Sequence, residues 1–257
     1  MKNMENQLII PTAEPFLFTA GKTGCVLVHG FTGTPKEMRL MGEALHHKSL
    51  SVLGVRLAGH ATFPKDLVHT TWMDWLASVE DGIHMLANIC EEVFIAGLSL
   101  GGMLSLVAAS RYPILKGAIA MSAPFSIGND WRLKIAKPLS LVYPYVRKGE
   151  SETRDPTTAK EHVDYPVYPL RAVAELNDFT KILHQSLSKI KIPVLLINSK
   201  TDQTVPLWQA EKIKEGITSA KVESLIIEES GHVITEDFAR EQVFEAAFQF
   251  IQKNSQK

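Results

Sequence analysis

The chain has 257 residues, 45% of them apolar, so it can bury one large core or two small ones, and nothing in the composition marks a boundary between independent domains. A formal net charge of −1 sets up no field that would draw nucleic acid or an anionic membrane. Only two cysteines are present, Cys25 and Cys90, both in or beside apolar runs, which predicts buried free thiols and no disulfide framework. The N-terminal stretch Met1–Gln7 is polar and no long apolar segment follows it, so the expectation is a cytoplasmic protein without stable membrane insertion.

In chain order, Cys25–Val28 reads as a buried strand ending at His29-Gly30. Pro35 suits the first turn of a helix that runs to His47, with Met38, Met41 and Leu45 at helical spacing. Ser51–Val55 is a second strand. Thr71–Ile89 is a long helix, capped by Thr70 or Thr71, that carries Trp72, Trp75, Val79, Ile83 and Leu86 on one stripe. Val93–Ala96 is a buried strand, Gly102–Ala109 a helix and Gly117–Met121 a strand. Past a long irregular segment come the strand Val194–Asn198, the helix Leu207–Gly216, the strand Val222–Ile227 and a closing helix Glu236–Ile251. Unbroken apolar strands alternating with helices mean a mostly parallel sheet covered on both faces.

Residues 124–191 break that rhythm. Some 65 residues between two core strands exceed a plain loop, and such excursions often cover sites. The predicted organisation is therefore a core of residues 1–123 and 192–257 with a small inserted cap, or lid, at 124–191. Trp131, Leu139, Leu141 and Tyr143 are expected to turn inward over an apolar cleft.

Between the third predicted strand and its helix lies Gly97-Leu98-Ser99-Leu100-Gly101. A serine between glycines at a strand-to-helix turn is lifted clear of the sheet, because the turn is too tight for side chains at the flanking positions. A serine hydroxyl needs a base, and the base needs a third group to hold its tautomer. Among nine histidines, His232 alone follows the last strand and precedes the closing helix, at the carboxyl end of the sheet where ligands bind. His29 also ends a strand but precedes Ser99, and the remaining histidines lie in helices or lack a strand-end setting. Asp202 follows the Val194 strand and stands between Ser99 and His232 in the chain; its plainer reading is a turn aspartate. Asp237 competes for the acid role but follows His232. The amide of Leu100 and that of Phe31, in His29-Gly30-Phe31-Thr32-Gly33, are the expected oxyanion donors. There is no H-E-x-x-H, no cysteine cluster and no dinucleotide fingerprint, so no metal or cofactor is expected.

These motifs, with Gly59-His60 and Ser230-Gly231-His232-Val233-Ile234-Thr235, resemble the α/β-hydrolase superfamily along almost the whole chain, and within it the bacterial carboxylesterases and monoacylglycerol lipases. The resemblance implies a Ser99, Asp202, His232 triad, an oxyanion hole from the Phe31 and Leu100 amides, and a small cap over an acyl pocket. It departs at Gly59-His60-Ala61, where the group often has Gly-His-Gly, and in the polar run Arg147–Asp164. The implied activity is a serine carboxylester hydrolase that cleaves short- to medium-chain acyl esters, the partner being a small-molecule ester. The same triad serves a monoacylglycerol lipase or a thioesterase. A ligand receptor on a hydrolase scaffold is the reading from another class. An aspartate nucleophile, as in epoxide hydrolases and dehalogenases, is absent because Ser99 holds that position.

Overall fold

A computed structural model describes residues 8–128, 136–149 and 153–256. In chain order the strands and helices are β1 (Phe16–Phe18), β2 (Thr23–Val28), α1 (Arg39–His47, led in by a 3-10 turn at Pro35–Met38), β3 (Ser51–Val55), α2 (Pro64–Val68), α3 (Trp72–Ala87), β4 (Glu92–Leu98), α4 (Leu100–Arg111) and β5 (Leu115–Met121). The chain continues through α5 (Ala136–Leu139), β6 (Tyr145–Arg147), α6 (Pro156–Glu161), β7 (Val167–Pro169), α7 (Leu170–Leu187), β8 (Val194–Ser199), α8 (Leu207–Gly216), β9 (Val222–Ile227) and α9 (Arg240–Asn254).

Seven strands form one sheet in the order β1-β3-β2-β4-β5-β8-β9, parallel except for β1. Because side chains alternate across a strand, one sequence supplies two cores. Val26, Val28 and Ile95 pack with α3, α4 and α7, while Cys25, Leu27 and Phe94 pack with α1 and α9. Both cysteines are buried and unpaired, as the composition predicts. Chain order reverses around β2, since β3 lies on one side of it and β4 on the other. In such sheets the crevice at the carboxyl ends beside the reversal is where ligands bind.

Helix α3 begins where expected: the Asp74 carboxylate accepts both the Thr71 amide (2.8 Å) and the Thr71 hydroxyl (2.7 Å). The closing helix starts at Arg240, not Glu236. Asp237 is the reason, because its carboxylate is spent on loop amides: Gly231 at 2.6 Å, Phe238 at 2.8 Å and Asp155 at 3.1 Å. The short antiparallel strand β1 carries no period long enough to read from sequence, and it pairs on β3 through Phe16–Phe18.

The stretch 124–191 has two parts of different character. Its last helix, α7, buries Leu176, Phe179, Leu183 and Leu187 in the same cluster as α3 and α4. The part before it is stitched to the core through polar groups. The Tyr165 hydroxyl accepts the Thr62 amide and donates to the Gly59 carbonyl, both at 2.9 Å, and the Tyr165 amide donates to the Thr32 carbonyl at 3.0 Å. The expectation that Leu141 and Tyr143 turn inward fails: they are 84% and 63% exposed. Lys137 is clasped by Glu175 (3.0 Å) and Asp178 (2.9 Å) on α7, which pins the start of this stretch and leaves 141–146 running along the outside. Leu139 is half-buried, and Trp131 lies outside the described residues.

Candidate active site

Four loops meet at the carboxyl ends of β2, β4, β8 and β9. The turn after β4 holds Ser99 at φ 53°, a left-handed conformation that costs a non-glycine residue roughly 1–3 kcal/mol and persists only where the surroundings enforce it. They do so here by contact. A Cβ on Gly97 would lie 2.1 Å from the Gly101 carbonyl oxygen, and one on Gly101 would lie 2.1 Å from the Val28 carbonyl oxygen. The Ser99 amide donates to the Met121 carbonyl at 2.8 Å, tying the turn to the next strand. Helix α4 then begins at Leu100 and is buried through most of its length, with its amino terminus under Ser99.

Asp202 makes the contacts that both of its readings require. Its Oδ1 accepts the amides of Thr204 (2.9 Å) and Val205 (2.8 Å), as a turn aspartate does. Its Oδ2 lies 2.8 Å from His232 Nδ1, with the Asp202 side chain fully buried. The two loops are locked together as well: the Ser199 hydroxyl donates to the Ser230 carbonyl at 2.5 Å and the Thr201 hydroxyl donates to it at 2.8 Å. Asp237, the competing acid, instead holds the Gly231 amide and so braces the loop that presents His232.

The loop after β2 is fixed from several sides. His29 Nε2 accepts the Leu57 amide at 3.1 Å, so the proton sits on Nδ1, which donates to the Gly30 carbonyl at 2.9 Å. Burial, with His60 beside it, pushes the His29 pKa well below the usual histidine value, which keeps this tautomer neutral. Burial likewise lowers His60 to about 4. Ala61, the departure from Gly-His-Gly, still takes a left-handed φ of 60°, so the backbone turn is made with alanine in place.

These loops enclose a cavity of about 690 Å³ lined by both Ser99 and His232, with Gly30 and Phe31 on one wall. Ile127, Tyr168, Val173, Leu176 and Trp208 supply apolar surface, and Glu37, Lys148 and His162 a polar end. Phe31 stacks on Tyr168, ring centroids 6.0 Å apart and planes 6° apart.

The polar end escaped the sequence reading. His162 Nδ1 lies 2.7 Å from Glu236 and its Nε2 lies 3.4 Å from Asp164, whose carboxylate also pairs with Lys148. Burial works against the imidazolium, but the two carboxylates overcome it and raise His162 to about 10. A proton held that firmly at both ring nitrogens leaves His162 no basic lone pair. Glu37, buried next to it, is pushed up to about 7 by burial. Nothing in the spacing of Glu37, His162 and Glu236 announces that they meet; only their avoidance of solvent in the fold reveals it. Among the described residues no His, Cys, Asp and Glu cluster has the makeup of a metal site.

A parallel sheet with a serine on a strained strand-to-helix turn and a buried His–Asp pair over one cavity is the architecture of an α/β-hydrolase. The family model described as serine aminopeptidase, S33, of the Hydrolase_4 family, matches residues 20–238, and the chain belongs to that family. It is 32% identical over 254 residues to a thermostable monoacylglycerol lipase of Bacillus sp. (strain H-257), covering 98% of this chain and 99% of that one. It is 30% identical to a carboxylesterase of Bacillus subtilis (strain 168), covering 95% and 98%. A solved structure from work on LipS and LipT, two metagenome-derived lipolytic enzymes, superposes with a TM-score of 0.89 at 30% identity, covering 95% of this chain and 99% of the other. The protein is a carboxylic ester hydrolase of the bacterial esterase and monoacylglycerol lipase group.

Proposed function

We propose that this enzyme cleaves short- to medium-chain acyl esters through an acyl-enzyme formed on Ser99. Ser99 Oγ attacks the ester carbonyl, and His232 takes its proton at Nε2, the nitrogen left free by the Asp202 contact on Nδ1. The tetrahedral oxyanion is met by the amides of Leu100 and Phe31. His232 returns the proton to the leaving alcohol, then activates a water that releases the acid. The observation that supports this reading best is the 2.8 Å His232–Asp202 pair opening on the same cavity as Ser99.

Residues 124–191 are proposed as the cap, with α7 seating it on the core. Its cavity-lining residues, among them Ile127 and Tyr168, together with Val173 and Leu176 of α7, would form the dry wall that selects acyl length. The two free, buried cysteines fit a cytoplasmic, reducing setting. Among the described residues no helix is long and apolar enough to cross a membrane. With a net charge of −1 the partner is the small-molecule ester itself, not nucleic acid. Monoacylglycerol hydrolysis is a second reading, favoured by the similarity to the Bacillus lipase and by a cavity that has a polar end as well as an apolar wall.

The test is a panel of p-nitrophenyl esters of increasing acyl length, run beside monoacylglycerols and acyl-CoA. The proposal expects a maximum at short to medium chains on simple esters. Faster turnover of monoacylglycerols than of any simple ester selects the second reading, and preference for acyl-CoA contradicts both.

A further inference from the structure

The geometry points to Glu37 as a positioning residue for the oxyanion loop, its carboxylate clamping the Gly30 amide so that the next peptide presents the Phe31 N–H. This rests on the acyl-enzyme reading above. The Gly30 amide donates to Glu37 Oε2 at 2.7 Å in a fully buried setting. The carboxylate occupies the inside of the turn itself. A Cβ on Gly33 would lie 2.0 Å from Glu37 Oε1, and one on Gly30 would lie 3.2 Å from Oε2 and 3.5 Å from Ser99 Cβ. Glu37 therefore fills the space that two glycines vacate, on the side of Gly30 that also faces the nucleophile.

Both peptide planes flanking Gly30 are thereby fixed. Glu37 holds the one before it by the N–H. The one after it is held by its carbonyl, which accepts from His29 Nδ1 (2.9 Å) and from the Gly33 amide (3.2 Å). In a trans peptide the N–H points opposite to the carbonyl, so the Phe31 N–H is turned away from those two donors. Remove the clamp and Gly30, free of steric limits, gains conformations that lose this aim. An oxyanion donor works only when preorganised, and removing one costs about 10²–10³ in turnover.

The experiment measures kcat and KM on p-nitrophenyl butyrate, and inhibition by an alkyl trifluoromethyl ketone, for wild type, Glu37→Gln, Glu37→Leu, Gly33→Ala and Ser99→Ala. A trifluoromethyl ketone adds to the nucleophile as a tetrahedral oxyanion, so its affinity reads the hole directly. Glu37→Leu should lose about 100-fold in kcat with KM within about threefold, and bind the ketone correspondingly less well. Glu37→Gln keeps an acceptor for the Gly30 amide and should stay within about fivefold of wild type. Gly33→Ala displaces the carboxylate without altering it and should reproduce the Glu37→Leu loss, which covers the case in which Glu37→Leu does not fold. The proposal is overturned if Glu37→Leu or Gly33→Ala keeps kcat, if ketone affinity is unchanged while kcat falls, or if Glu37→Gln is as impaired as Glu37→Leu. Activity retained in Ser99→Ala would instead overturn the acyl-enzyme reading, so the two failures are separable.

Discussion

Two histidines line the same cavity, each 2.7–2.8 Å from a buried carboxylate, and they differ in what meets the second ring nitrogen. His232 has one carboxylate on one nitrogen: Asp202 meets Nδ1 while spending its other oxygen on the Thr204 and Val205 amides. His162 has a carboxylate near each nitrogen, Glu236 and Asp164, and is held as a cation. The first arrangement leaves a lone pair for proton transfer. The second makes an ion-pair rivet between the chain before α7 and the loop that leads into α9. A His–acid pair in a cavity is thus not evidence of a base until both nitrogens are accounted for.

The sharpest way to break the comparison is to exchange the losses. Ser99→Ala and His232→Ala should each lose on the order of 10⁴-fold or more in kcat on p-nitrophenyl butyrate, as triad members act as a unit. His162→Gln should keep kcat on p-nitrophenyl acetate within about tenfold. A His162→Gln loss as deep as that of His232→Ala would erase the distinction.

Asp202→Asn comes next. The asparagine oxygen can still accept the Thr204 and Val205 amides, so the fold should survive, while turnover drops by about 10⁴ because the imidazole is held in the wrong tautomer. Circular dichroism checks the first half and kcat the second. A variant that keeps more than a tenth of wild-type activity would leave Asp202 only its turn role.

The third prediction concerns stability and pH. His162 is raised from 6.5 to about 10 in the folded chain, so its contribution is complete below about pH 6.5 and is lost as pH rises towards 10. Glu37, raised from 4.5 to about 7, acts in the same direction over a lower range, since the unfolded chain releases that proton first. His162→Gln should cost about 3–5 kcal/mol near neutral pH by leaving Glu236 and Asp164 without their cation, and it should flatten the decline between pH 7 and 10. Denaturant midpoints across that range decide it; an unchanged slope would mean that His162 is not the group being titrated.

How much of this could be read beforehand follows a physical line. Ser99, Asp202 and His232 stand out as candidates because each stands at the end of an apolar strand, and strand ends are local patterns. Apolar strands and the α3 cap at Thr71 were legible for the same reason. The rivet was not, because Lys148, His162 and Asp164 lie in an irregular polar run whose partners, Glu37 and Glu236, are some 70 or more positions away. The inward turn expected of Leu141 and Tyr143 failed because hydropathy says what prefers burial, while the Lys137 clasp on α7 decides where that stretch can lie. Glu236 was placed in a helix by its spacing; the amides gathered by Asp237 delay that helix to Arg240.

The smallest effect expected is on chain-length preference. Each buried methylene is worth about 0.8 kcal/mol, so turnover should climb a few-fold per carbon until the apolar wall ends. Val173→Ala and Leu176→Ala should shift the preferred length while leaving p-nitrophenyl acetate within a few-fold. Leu141→Ala, on the exposed stretch, should leave the profile unchanged.

The most direct test of the central claim is fluorophosphonate labelling followed by peptide mass spectrometry, run on wild type, His232→Ala and His162→Gln. The account predicts a single adduct at Ser99 in wild type, near-complete loss of labelling in His232→Ala, and retained labelling in His162→Gln. An adduct at another serine, or labelling that depends on His162 and not on His232, would contradict it.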